Sequence, residues 1–228
     1  MAFLALTGLA VAANYSGTSG SDFIVGTNEA DRIDALGGGD TVYGLDGADR
    51  IEGDVGNDVL VGDGTCAGRT TPGINSPAYV ADCSASGGGA GNDRLEGRDG
   101  RDVISGGAGN DVLGGSDGKD RISAGPGKDK IFGGADADRV SGGPGNDGIA
   151  PGGGNDKVFG NAGNDLISPG ESGRGKETIS GGSGNDRIDT RDRNRDVVTC
   201  GPGKDFVRAD RVDRVSRGTC ERVIRQAR

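Results

Sequence analysis

The apolar residues of this chain recur with a period of nine. Ile24, Ile33, Val42, Ile51 and Leu60 form a first series; Leu95, Ile104, Leu113, Ile122, Ile131, Val140, Ile149, Val158 and Ile167 form a second, continued by Ile179, Ile188, Val198 and Val207. No helical 3.6-residue period accompanies them. Each unit has room for one short strand, with the aliphatic pointing inward and its two neighbours outward. Two residues before every aliphatic stands an acid: Asp22, Asp31, Asp40, Asp49 and Asp58, then Asp93, Asp102, Asp111, Asp120, Asp129, Asp138, Asp147, Asp156 and Asp165, then Glu177, Asp186, Asp196 and Asp205. Two residues before the acid stands glycine in fifteen of the eighteen units. Three registers held together along most of the chain exclude disorder.

The unit reads G-G-x-G-x-D-x-U-x, where U is the aliphatic. Its cleanest copy is Gly106-Gly107-Ala108-Gly109-Asn110-Asp111-Val112-Leu113, and Gly142–Asp147 and Gly181–Asp186 are close behind. From Gly17 to Arg208 the chain resembles the hemolysin-type, or RTX, calcium-binding repeat family. The resemblance implies a right-handed parallel β-roll, a solenoid with two nonapeptides per coil and Ca²⁺ held in the turns between successive coils. The candidate metal ligands are the seventeen aspartates of the ladder, from Asp22 to Asp205.

The residue chemistry points the same way. Glycine permits φ > 0 and lets carbonyl oxygens approach a ligand closely. One inward aliphatic per nine residues makes a thin core. Carboxylates stacked one strand spacing apart would repel by about 3 kcal/mol per pair at an effective dielectric near 20. Ca²⁺, which takes six to eight oxygens from carboxylates and carbonyls alike, removes that repulsion. Mg²⁺ is too strict in geometry, and zinc, copper and iron want imidazole or thiolate.

Composition narrows the function further. There are 49 glycines in 228 residues, no His and no Trp, and the net charge is −9. Without His, Ser-His-Asp and Cys-His catalysis are excluded. The negative balance argues against nucleic acid. No apolar run is long enough to span a membrane.

Two interruptions and two ends depart from the repeat. Between Asp58 and Asp93 the spacing grows to 35 residues, which places an insert holding Cys66 and Cys83. Cys200 and Cys220 bracket the last unit. Four cysteines allow three pairings, and proximity favours Cys66–Cys83 and Cys200–Cys220. The first disulfide would clip a protruding loop whose removal costs little, and the second would close a C-terminal cap. Phe3–Ala13 resembles the apolar region of a secretory signal without its basic start. The expected organisation is a signal remnant over 1–13, N-terminal repeats over 17–64, an insert loop over 65–87, main repeats over 88–208 and a cap over 209–228. Residues 187–228 carry twelve Lys/Arg against seven Asp/Glu. Such an end suits an anionic cell-wall polymer, although charged protection of an exposed edge is the plainer reading.

The expected function is that of a secreted, extracellular calcium-binding repeat protein, non-catalytic and structural or interacting. The alternatives are an adhesin or cell-surface roll, an ice-binding roll, or the calcium-binding part of a larger secreted enzyme or toxin. Ice binding would need an outward Thr ladder, which the sequence lacks. The two rows of acids are expected to differ. In the row Asp93, Asp111, Asp129, Asp147, Asp165, Asp186 and Asp205, five of the seven read Gly-Asn-Asp. The row Asp102, Asp120, Asp138, Asp156, Glu177 and Asp196 twice lacks its glycine and carries neighbouring cations. Vacancies are expected around Asp138, Glu177 and Asp196.

Overall fold

The computed structural model describes residues 12–63, 90–168, 175–216 and 219–225, together with the backbone of 65–66, 73–74 and 83–84. Among these residues there is no helix; every element is a short strand. The strands form two eleven-stranded sheets that face each other across a single core. Successive units alternate between the sheets, so each strand pairs in parallel with the strand one coil, usually eighteen residues, further on. One sheet aligns Leu95, Leu113, Ile131 and Ile149, and the other aligns Ile104, Ile122, Val140 and Val158. The parallel β-roll is therefore the fold, built from two nonapeptides per coil.

All eighteen periodic aliphatics are at most 2 % exposed. The strands read exposed, buried, half-buried, buried, as in Arg187–Thr190. The second buried position opens the next nonapeptide, and its side chain also points inward. Ala35, Ala124, Pro151, Thr190, Cys200 and Ala209 occupy it where glycine does not among the described residues, each buried. A small residue fits because the two sheets meet closely there.

The insert is spliced into one repeat without breaking it. Gly62 and Asp63 supply the first two positions of a nonapeptide, and Ala90-Gly91-Asn92-Asp93 supply positions three to six. Leu95 pairs with Ile51 and Ile104 with Leu60, as if 64–89 were absent. Asp63 secures the junction by accepting the Gly91 and Ala108 N–H groups. Thr65–Cys66 and Cys83–Ser84 form an antiparallel pair at the base, with Cys66 opposite Cys83; their side chains lie outside the described residues. Gly73–Ile74 then runs antiparallel to Ile24 and Val25, on the outermost parallel strand of its sheet. The expectation of a merely protruding loop is corrected here. A free strand edge has unpaired N–H and C=O groups to satisfy, and the insert reaches back to satisfy them.

Both ends extend the roll. Asn14–Ser16 pairs with Arg32–Asp34, with Tyr15 packed in the aliphatic column. Residues 1–11, where a signal sequence is expected, lie outside the described residues. At the other end Arg214–Val215 and Arg222–Arg225 add strands to the two sheets. The Cys200–Cys220 disulfide is formed, with Cα atoms 5.1 Å apart, joining the buried Cys200 to that final coil.

Candidate metal centres

Each ladder acid is almost fully buried, at most 5 % exposed. The cause is the parallel register, which sets each turn directly upon the last. One carboxylate oxygen, Oδ1, accepts the backbone N–H of the acid one coil earlier. One ladder runs from Asp31 through Asp49, Asp93, Asp111, Asp129, Asp147, Asp165 and Asp186 to Asp205, with N···O distances of 2.7–3.0 Å. The other runs from Asp22 through Asp40, Asp58, Asp102, Asp120 and Asp138 to Asp156. It resumes at Glu177 and Asp196.

The second oxygen has no such use. In fifteen aspartates, from Asp40 to Asp205, Oδ2 is buried without a hydrogen-bond partner. A buried anionic oxygen left unpaired carries a large desolvation penalty, so each calls for a cation or a proton. In ten of these turns the space before it is kept open by the first glycine of the repeat. A side-chain carbon on Gly106 would overlap both Asp111 Oδ2 and the Ala124 carbonyl oxygen of the next coil; Gly115, Gly142 and Gly160 hold the same relation to Asp120, Asp147 and Asp165. A carboxylate oxygen and a carbonyl oxygen thus converge on a cradle that a β-carbon would fill.

The glycine two residues before the acid has a separate duty. A β-carbon on Gly109 would overlap the Gly91 carbonyl, and Gly109 sits at φ 149°. These carbonyls stack in a column along the turn. Where the glycine is missing before Asp138, Asp136 takes its place at φ 70°.

Electrostatics sharpen the demand. In the metal-free chain burial pushes Asp93 up to about 8, Asp49, Asp102, Asp129 and Asp138 up to about 7, and Asp58, Asp111, Asp156 and Asp165 up to about 6. The N–H donated to each carboxylate pulls against this, and adjacent ladder charges at Asp49, Asp93 and Asp129 push further up. The donors are all hard oxygens, carboxylate and carbonyl mixed. That set fits Ca²⁺ and suits neither zinc nor copper. Six stretches, 16–49, 34–64, 87–121, 114–149, 152–172 and 171–192, match the RTX calcium-binding nonapeptide repeat. The chain belongs to the RTX repeat family. A search among curated proteins found no match.

Within this RTX roll the seventeen candidate aspartates are not equivalent. Asp22 and Asp31 stand apart, because Thr18 and Thr27 donate a backbone N–H and a hydroxyl to their carboxylates. These threonines occupy the position that is glycine in the full repeat. Glu177 also differs. It receives no rung hydrogen bond, and both of its carboxylate oxygens are buried and unpartnered.

Several functional positions escaped sequence reasoning. Asp213 and Glu221 end the two ladders by accepting the Asp196 and Asp205 N–H groups. The asparagine of Gly-Asn-Asp points outward and staples coils together. Asn92, Asn146 and Asn164 each accept the backbone N–H one coil on, from Asn110, Asn164 and Asn185, at 2.6–2.7 Å. Its repetition was visible, but its role needed the stacking register.

Proposed function

We propose that this chain is a secreted, non-catalytic scaffold whose roll is completed by Ca²⁺ at the ladder aspartates Asp40–Asp205. The observation that carries the proposal is the second carboxylate oxygen, orphaned in fifteen buried turns, ten of which also hold a glycine cradle beside it. Each ion would neutralise a carboxylate that the metal-free fold must otherwise keep protonated or repelled. At ten times its dissociation constant, one ion adds about 1.4 kcal/mol. Ten such ions would add as much as an ordinary domain's whole stability. Asp22 and Asp31, already satisfied by threonine, fall outside the proposed set. Weaker occupancy at Asp138 follows from the non-glycine Asp136 beside it. Asp147→Ala should therefore raise the calcium concentration at the folding midpoint more than Asp138→Ala.

The Cys200–Cys220 disulfide supports the extracellular part of this reading, since disulfides persist outside the cell, where calcium modules bind at ~10⁻⁴–10⁻³ M. No helix among the described residues is long and apolar enough to cross a membrane. The test is far-UV circular dichroism during calcium titration, reversed with EGTA. We expect β-signal to appear cooperatively with calcium and to vanish on chelation. A strong signal unchanged by EGTA at neutral pH would overturn calcium-driven folding.

A further inference from the structure

We propose that Glu177, Asp192 and Asp196 form a distinct cation site, tighter than the ladder turns and selective for high positive charge. The ladder turns pair one free carboxylate oxygen with backbone carbonyls. Here three carboxylates from two coils converge, with one oxygen of each within 4.8 Å of the others. Glu177 and Asp196 are 1 % and 0 % exposed. Both oxygens of Glu177 and Oδ2 of Asp196 have no hydrogen-bond partner. None of the three forms an ion pair with Lys or Arg among the described residues.

Two departures from the repeat create the cluster. Glutamate replaces aspartate at 177, and its extra methylene carries the carboxylate out of the rung position, freeing both oxygens. The next turn on that side is stretched, so Asp192 enters from outside the ladder. Asp192 is held in place by Asn194, whose backbone N–H and Nδ2 donate to its two oxygens at 2.8 and 2.6 Å. Asn194 is the residue that displaces the repeat's glycine, so the irregularity that suggested a vacancy instead orients a third ligand. Outer partners that fix a ligating carboxylate commonly raise metal affinity. Three carboxylates and no nitrogen or sulfur donor select a hard cation. Three negative charges favour a trivalent over a divalent ion more than a one-carboxylate turn does.

This inference rests on the calcium-roll reading only in taking the stacked coils as folded around the site. The probe is Tb³⁺, added to the full chain in saturating calcium and followed by directly excited luminescence. We expect one equivalent to bind at least tenfold more tightly than the rest. Asp192→Asn removes one charge yet keeps an acceptor for Asn194, and should abolish that step while leaving circular dichroism in calcium unchanged. Glu177→Asp restores the ordinary repeat and should abolish it too, which guards against a folding defect in the first variant. Asp189→Asn, a nearby carboxylate outside the cluster, should leave it intact. Absence of a tight step in the parent chain, or its survival in both cluster variants, overturns the site. Calcium-independent β-signal would instead overturn the folding reading, and the Tb³⁺ comparison would still decide the site.

Discussion

Glycine serves two separate functions in this nonapeptide, and single substitutions tell them apart. At Gly109 the backbone sits at φ 149° and a β-carbon would overlap the stacked Gly91 carbonyl. At Gly153, one position away in the repeat, nothing lies within 4 Å of an added carbon. We expect Gly109→Ala to destabilise the calcium-loaded roll by roughly 3 kcal/mol or more, and Gly153→Ala by less than about 0.5 kcal/mol. Urea midpoints at fixed calcium would measure both; equal shifts would contradict the carbonyl column. Non-glycine residues already occupy the left-handed region elsewhere, at Leu36, Leu45, Asp54, Arg98, Ser116 and Asn161. A left-handed conformation costs a bulky residue roughly 1–2 kcal/mol. Leu36 is exposed, so Leu36→Gly should stabilise by about 1 kcal/mol in the same assay, little apolar burial being lost.

At the scale of the strand and turn, the ladder of acids and the column of aliphatics were fully legible, because both are strictly periodic. What escaped the sequence lies where the argument needed three dimensions. The inward first position of most repeats was hidden because glycine has no side chain to show a preference; only Ala35, Ala124, Pro151, Thr190, Cys200 and Ala209 betray it among the described residues. Asp213 and Glu221 were hidden because the closing coil keeps the hydrogen bond but abandons the spacing. The backward reach of the insert was hidden because Gly73–Ile74 is too short to announce a strand. That pairing yields a prediction of its own. Deleting 64–89 joins Asp63 to Ala90 and restores an unbroken Gly-Asp-Ala-Gly-Asn-Asp, so the roll should still fold with calcium. It uncovers the edge at Phe23–Val25, however. Hydrogen exchange should show the amides on that edge losing protection, while those at Val103–Ser105 are unchanged. Unaltered protection at Ile24 and Val25 would mean that the insert does not cover the edge.

For the whole molecule, the buried ladder makes protons and calcium alternative solutions to one problem. Folding without metal moves aspartates from an unfolded value near 3.9 to between about 6 and 8, with burial the largest cause. A raised carboxylate means that the folded chain binds more protons than the unfolded chain across that interval. Metal-free stability must then fall as pH rises from about 4 to 8, and increase as pH is lowered through the same window. This is the reverse of the usual salt-bridged carboxylate, which loses stability in acid. In EGTA the chain should therefore be unfolded near pH 8 and gain β-signal on acidification toward pH 4.5, where the rungs are protonated and their mutual repulsion is gone. Calcium at neutral pH should produce the same spectrum, because it answers the same buried oxygens. The measurement is circular dichroism of the EGTA-treated chain from pH 8 to pH 4.5, with calcium-loaded protein as reference. Loss of β-signal on acidification would place the ladder carboxylates in salt-bridge-like surroundings and remove the electrostatic reason for calcium in the turns.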